Sequence, residues 1–113
     1  MIEYEWSHLK GENRKDNQKL LDILHQDFKE FGKSGKTLYK EDVVNIQFDT
    51  DDYEIYDLEE YSLAEDVKLC TYTLLNKTKN QSTNRSSIWK FEEDWKLLFH
   101  QGTEKNKKLD IPL

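Results

Sequence analysis

Cysteine and proline occur once each in this chain of 113 residues, and glycine only four times. The single Cys70 excludes an intrachain disulfide, and we expect it to be an inert core thiol. No apolar run approaches the about 20 residues that a membrane-spanning helix needs. Residues 1–6 are acidic and lack the apolar core of a signal peptide. These features predict a cytoplasmic protein that does not enter a membrane.

Basic residues are absent from one long stretch, residues 49–66, which carries nine acids without a lysine or arginine. The net charge of the chain is −6. Such an acidic stretch argues against nucleic acid and anionic membranes as partners, and it could attract a basic protein. The simpler interpretation is a solvated strand face with its loops.

Aromatic side chains are plentiful: three tryptophans, six tyrosines and five phenylalanines can build a compact core although only 35% of the chain is apolar. The length allows one domain. We place this domain at residues 1–103. Residues 104–113 are predicted to form a basic, flexible tail.

The first half of the chain is predicted to be mainly helical. Ile2, Trp6 and Leu9 share one face of a first helix, and a second helix capped at Asn13 buries Leu20, Leu21, Leu24 and Phe28. Residues 28–31 suggest a short strand and residues 32–35 a glycine turn. Residues 37–48 predict a third helix.

The second half alternates with a period of two and predicts four antiparallel strands in a meander. These strands are predicted at residues 53–63, 67–75, 86–92 and 95–101, with residues 76–84 as a polar loop. Helices gathered early and strands gathered late predict an α+β fold, with three N-terminal helices covering one face of a curved antiparallel sheet.

Three stretches of the sequence are distinctive: residues 25–36 (HQDFKEFGKSGK), 85–89 (RSSIW) and 95–103 (WKLLFHQGT). Together with the predicted order of elements, they resemble the nuclear-transport-factor-2-like superfamily, and more closely its small bacterial SnoaL-like proteins of unassigned function. The resemblance implies a cystatin-like cone in which the sheet wraps around the helices. It also implies a pocket between the concave face and the second helix, and a homodimer formed through the sheet.

Candidate site residues cluster in the last predicted hairpin. Strand parity places Arg85, Ser87 and Trp89 on one face of its first strand, and Leu97 and His100 on opposite faces of its second. Both faces carry apolar residues, so parity leaves open which one is concave. Arg85 and His100 therefore need not share a pocket.

His100 is the best catalytic candidate, because an imidazole titrates near neutrality. Its alternative role is a structural hydrogen bond across strands. Arg85 can hold a carboxylate or phosphate, or pair with an internal acid such as Glu30. We predict a ligand-binding pocket in which aromatic residues supply apolar contact beside these two groups; alternatively, the rings are core. The predicted set is Trp6, Phe28, Phe31, Tyr72, Arg85, Trp89 and His100.

Other motifs do not reach a recognisable site. Residues 32–35 lack the pattern of a phosphate loop, and residues 49–60 lack the turn glycine of an EF-hand. The spacing of His8, His25 and His100 does not suggest a metal. We therefore expect neither a cofactor nor a metal.

Three functions remain open. The first is binding of a small molecule or partner in the pocket. The second is a cofactor-independent lyase or isomerase of the dehydratase or ketosteroid-isomerase-like kind, with His100 or a pocket carboxylate as base and Tyr72 or Arg85 steadying an oxyanion. The third is an interaction module that uses the acidic stretch.

Overall fold

A computed structural model describes residues 1–105, and its helices lie in the first half of the chain and most of its strands in the second, as predicted for an α+β chain. Most of the predicted tail, residues 106–113, lies outside the described residues. The helices and strands are α1 Ile2–Ser7, α2 Gly11–Arg14, α3 Asn17–Ile23, β1 Leu24–Phe31, β2 Thr37–Tyr39, α4 Lys40–Val43, β3 Tyr53–Ala64, β4 Val67–Asn76, β5 Gln81–Glu92 and β6 Asp94–Glu104.

The sheet has six strands in the order β2-β1-β6-β5-β4-β3. Strands β3 to β6 form the predicted antiparallel meander, while β1 pairs parallel to β6. The sheet is therefore mixed: the predicted antiparallel meander is confirmed, and the antiparallel prediction does not hold for the β1–β6 pair. These two strands can pair in parallel because no hairpin joins them and most of the chain lies between them.

The helices are shorter than predicted. Helix α3 is capped by Asp16, whose carboxylate accepts a hydrogen bond from the Gln18 amide at 3.0 Å, and it ends at Ile23. The chain then continues as β1. A spacing of four residues, such as Leu24 to Phe28, repeats on one face of a strand as well as on one face of a helix, so this pattern did not distinguish them.

The predicted third helix at residues 37–48 is also largely wrong. Thr37–Tyr39 adds to the sheet as edge strand β2, and only Lys40–Val43 is helical. Asn17 holds the turn that follows, because its side-chain amide donates to the carbonyl oxygens of Val43, Val44 and Ile46 at 2.8–3.1 Å. This contact joins α4 to α3 beside the sheet.

The core lies between the helices and one face of the sheet. Its larger cluster surrounds Trp89, which is fully buried, and its smaller cluster joins Leu9 to Tyr72 and Leu74. Within residues 1–105, no helix has the length and apolar character needed to cross a membrane.

Candidate functional site

A buried carboxylate anchors α1 to the sheet. Glu5 is completely buried and accepts hydrogen bonds from the Tyr72 hydroxyl at 2.9 Å, the Ser87 hydroxyl at 3.0 Å and the Trp89 indole N–H at 2.7 Å. Glu5 was not among the site residues predicted from the sequence. The feature that could have indicated its burial is its position four residues before the buried Leu9, which places both side chains on one helical face.

The buried face of α1 is thus rotated from the predicted one. Ile2 is 45% exposed, and Trp6 is half-buried against the smaller cluster. Glu5 and Leu9 occupy the inward positions instead, with His8 beside them. The rotation follows from the three donors on β4 and β5, which satisfy a carboxylate that would otherwise be unpaired in the core.

From Glu5 a chain of hydrogen bonds leads to Arg85. Ser87 Oγ lies 3.0 Å from Glu5 Oε1 and 2.8 Å from His100 Nδ1, and His100 Nε2 lies 3.3 Å from Arg85 Nη1. The Ser87 hydroxyl has one hydrogen to donate in a hydrogen bond, and it donates it to the Glu5 carboxylate, which can only accept. His100 Nδ1–H therefore donates to Ser87, and its Nε2 accepts from Arg85, which defines a neutral imidazole.

Burial keeps this imidazole neutral. It places the pKa of His100 well below its usual value, and the neighbouring His8, Arg85 and Arg14 act in the same direction. In contrast, burial alone would raise the pKa of Glu5, but hydrogen bonds and charge from His8, with those from Trp89 and Tyr72, outweigh it and lower that pKa. The network thus joins a charged carboxylate to a neutral ring.

A bulge at Leu98 brings Leu97 to the face that Arg85 and His100 share. The register of β5 and β6 shifts between Ile88 and Trp89, so that Trp89 opposes Leu97 while Ser87 opposes His100. Both Leu97 and His100 then point inward, although they are an odd number of positions apart, with two residues between them. Strict alternation, which separated these two side chains in the sequence analysis, is wrong at this point because a bulge inserts one residue.

A cavity opens where the network ends. Its inner lobe has a volume of about 90 Å³ and its outer lobe about 280 Å³. Apolar side chains from α3, β1, α4 and β6 form much of the inner wall: Leu20, Leu24, Phe28, Val43 and Leu97. Residues shared by both lobes form the junction between them: Leu9, Arg14, Glu30, Leu38, Phe48 and Arg85.

Two arginines stand at this junction. Arg85 Nε donates to the Thr83 hydroxyl at 2.8 Å, and its guanidinium covers Gly102 so closely that a Cβ there would lie 2.8 Å from Nη1. Arg14 lies 3.4 Å from an Asp49 carboxylate oxygen and packs near the Phe48 ring. Its Nε is buried without a hydrogen-bond partner among the described residues.

Glu30 is the carboxylate of the junction. It lies opposite His100 across the parallel pair of β1 and β6. Burial raises the pKa of Glu30 above its usual value, although Arg85, His8 and Arg14 pull it down. A carboxyl group that gains a proton more readily than usual can serve as an acid, a base or a neutral hydrogen-bond donor in a cavity.

The predicted site residues divide into three groups. Phe28, Arg85 and His100 line the inner lobe. Tyr72 and Trp89 lie behind it, bound to Glu5. The remaining two, Trp6 and Phe31, do not line either lobe; Phe31 is 41% exposed and packs edge-on against Phe99.

One cluster resembles a metal site in its composition. Glu5, His8 and His100 each place a ligand atom within 4.8 Å of the other two. His8 Nε2 lies 3.1 Å from Glu5, however, and His100 uses both ring nitrogens in the hydrogen-bond chain. The Arg85 guanidinium beside His100 also opposes a cation. We assign the cluster to the hydrogen-bond network.

Solved structures share this architecture. A nuclear-transport-factor-2-like protein from Cytophaga hutchinsonii is 20% identical, with a TM-score of 0.74 over 92% of this chain and 94% of that chain. A candidate ketosteroid isomerase from Parabacteroides distasonis is 14% identical, with a TM-score of 0.76 over 94% and 86%. A protein with a cystatin-like fold from Caulobacter vibrioides is 14% identical, with a TM-score of 0.74 over 94% and 87%.

Sequence comparison adds no activity to this result: no protein-family model matches the chain, and no curated protein matches it. The structural matches establish the nuclear-transport-factor-2-like, cystatin-like fold and confirm the α+β class and the resemblance at that level. Activity has to be argued from the cavity, since one fold supports many functions.

Proposed function

On the premise that the chain has the nuclear-transport-factor-2-like fold, we propose that it binds a small molecule in the cavity on the concave face. The observation that carries this proposal is the junction itself, where Arg85, Arg14 and Glu30 face a space with apolar walls. A few oriented polar groups above an apolar chamber are typical of ligand sites.

A cavity-filling variant tests this proposal. Leu38 on β2 lines both lobes, whereas its neighbour Thr37 is exposed and lines neither. We expect small fragments to give saturation-transfer signals in NMR with the native chain and with Thr37→Trp. Leu38→Trp should reduce these signals at least fivefold while both variants keep the native thermal unfolding temperature within a few degrees. Equal signals from Leu38→Trp would place binding elsewhere.

A second candidate function is proton transfer by a lyase or isomerase. The raised pKa of Glu30 beside Arg85 favours it. Glu30 would remove a proton next to a carbonyl group, and Arg85 would stabilise the resulting enolate oxygen. Tyr72 is less suited to the second role because its hydroxyl is buried and already donates to Glu5. His100 suits a neutral hydrogen-bonding role in the network.

Isomerisation of a β,γ-unsaturated cyclic ketone, followed by absorbance, tests this second function. We expect Glu30→Gln to lower the rate by about 10²–10⁴, the usual contribution of a positioned acid or base. Glu41→Gln, an exposed substitution on α4, is the control. A rate that is equal in Glu30→Gln and the native chain would reject the role of Glu30.

A further inference from the structure

We propose that the ligand is a monocarboxylic acid with a compact, branched apolar body. Its carboxylate would lie between Arg85 and Arg14, and its body would fill the inner lobe. This inference rests on the proposed binding function and gives it a chemical class. It follows from the charge around the cavity, the geometry of Arg85 and the shape of the inner lobe.

Charge around the outer lobe is the reverse of that on the whole chain. The chain carries a net charge of −6. The outer lobe is nevertheless lined by five basic residues, Arg14, Lys33, Lys36, Lys79 and Arg85, and by two acids, Glu30 and Asp49. Clefts lined by charge of one sign concentrate ligands of the opposite sign. An anion is therefore favoured at the entrance.

Arg85 is held in place before a ligand arrives. Both of its described hydrogen bonds go to neutral groups, the Thr83 hydroxyl and the His100 imidazole, and these use two of its five N–H donors. Gly102 leaves the space that the flat guanidinium occupies. A fixed planar fork with free donors matches the two oxygens of a carboxylate, and little freedom is lost when they bind.

Arg14 supplies a second positive charge at the same junction. Its contacts with Asp49 and with the His8 carbonyl oxygen are long, at 3.4 and 3.5 Å, and its Nε has no hydrogen-bond partner among the described residues. An arginine that is mostly buried, with a side chain 14% exposed, and only weakly bonded gains from a carboxylate nearby.

The inner lobe limits the rest of the ligand. Its volume of about 90 Å³ is smaller than the roughly 150 Å³ of a cavity known to hold benzene. Leucine, valine and phenylalanine side chains form most of its wall away from the junction, so a body of three or four aliphatic carbons fits better than a ring. The carboxylate then remains at the junction, within reach of both arginines.

Calorimetric and NMR titrations with 3-methylbutanoate, 3-methylbutanamide and acetate test this inference. The first two have the same shape and differ in charge, and acetate lacks the body. We expect 3-methylbutanoate to bind at least tenfold more tightly than the amide. It should also bind at least tenfold more tightly than acetate, because each buried CH₂ contributes about 0.8 kcal/mol. Shifted methyl signals of Leu24 and Val43 should locate the body in the inner lobe.

Variants distinguish the contribution of the junction to binding from that of the entrance. Arg85→Lys keeps the charge but removes the planar fork, and Arg14→Gln removes the second charge. Each should lower the affinity for 3-methylbutanoate at least tenfold. Lys33→Gln at the entrance should lower this affinity less than threefold. Thermal unfolding of every variant checks that the fold persists, and Arg14→Gln tests the junction independently should Arg85→Lys unfold.

The outcomes distinguish this inference from the proposed function. Equal affinities for 3-methylbutanoate and its amide would overturn the carboxylate assignment while leaving a binding cavity. The carboxylate assignment would also be overturned if other fragments bound and 3-methylbutanoate did not. If no fragment of any charge bound, both the inference and the proposed function would fall.

Discussion

Glu5 is the residue on which the arrangement of the site depends. Its single carboxylate joins α1 to β4 through Tyr72 and to β5 through Ser87 and Trp89. Through Ser87 it also sets which nitrogen of His100 carries the proton. Removing the charge therefore alters both the packing of α1 and the group that Arg85 meets at the cavity.

Glu5→Gln should destabilise the protein by about 2–4 kcal/mol in urea denaturation, because an amide cannot accept from all the donors that surround the carboxylate. Glu3→Gln, an exposed change on the same helix, should stay within about 0.5 kcal/mol. A loss for Glu5→Gln no larger than that of Glu3→Gln would contradict this account.

The pH dependence of stability supplies a second readout of Glu5. Its folded-state pKa lies below its usual value of about 4.5, so its contribution to stability is present above about pH 4.5 and is lost as the pH falls through the folded-state pKa. The raised pKa of Glu30 acts with the opposite sign. The difference between the native chain and Glu5→Gln should therefore shrink on acidification, whereas a constant difference would reject the role of the charge.

Sequence reasoning at this scale found Arg85, His100 and Phe28 but missed Glu5 and Arg14. Arg85 and His100 are residue types whose chemistry marks them in any sequence. Glu5 lies among exposed acids on α1, and only its spacing from Leu9 indicates burial. Arg14 reaches the cavity because α2 and α3 are separate helices, a break that the sequence pattern did not show.

At the scale of elements, β6 sets the geometry of the cavity. Its bulge turns Leu97 and His100 inward together, and its Gly102 makes room for Arg85. Alternation predicted the ends of β3 and β4 to within one residue, and β4 does alternate regularly between buried and half-buried side chains. It failed for β1, whose register shifts between Leu24 and Lys29, and for the side chains beyond the bulge in β6.

Gly102→Ala tests the close approach between β6 and Arg85. The added methyl group would force the guanidinium from its position, which removes its hydrogen bond to His100 and costs about 1 kcal/mol. Binding of 3-methylbutanoate should fall at least tenfold.

Gly11→Ala is the matched control for Gly102→Ala, because Gly11 lines neither lobe and the nearest contact of its added Cβ would be an ordinary 3.6 Å. It should leave stability within about 0.5 kcal/mol and binding within twofold. Unchanged binding in Gly102→Ala would show that Arg85 does not need this space.

For the whole molecule, the acidic stretch at residues 49–66 is less free than it looks in the sequence. Pairing with β4 and β5 brings Lys68 to Glu60 and Lys90 to Asp66, and Lys77 lies beside Asp52 and Glu54. All three lysines lie outside residues 49–66, and strand pairing brings them beside these acids, so a charge count within the stretch does not include them. A site for a basic protein is accordingly the least supported of the three functions.

The face of the sheet opposite the helices carries a row of apolar side chains that runs across four strands. Tyr61, Leu69, Ile88 and Phe99 oppose one another across β3, β4, β5 and β6, and Phe31 packs against Phe99. Exposed apolar patches of this kind mark protein contacts. We propose that this row forms the homodimer contact expected from the sequence resemblance.

Sedimentation velocity tests the dimer. We expect the native chain to sediment as a dimer and Ile88→Glu to sediment as a monomer, because an unpaired charge in an apolar contact opposes association. Gln18→Glu on exposed α3 should remain dimeric. A monomeric native chain, or an Ile88→Glu dimer, would reject this contact.

The position of β6 also bears on how the chain is made. Of the six described strands β6 is the last to be synthesised, yet it lies inside the sheet between β1 and β5. The early helices and β1 cannot complete their packing until residues 94–104 arrive, since their sheet partner does not exist before then. Contacts so distant in sequence slow folding. Before β6 is made, the sheet can therefore exist only as two separate parts, β1 with β2 and β3 with β4 and β5, and β6 joins them.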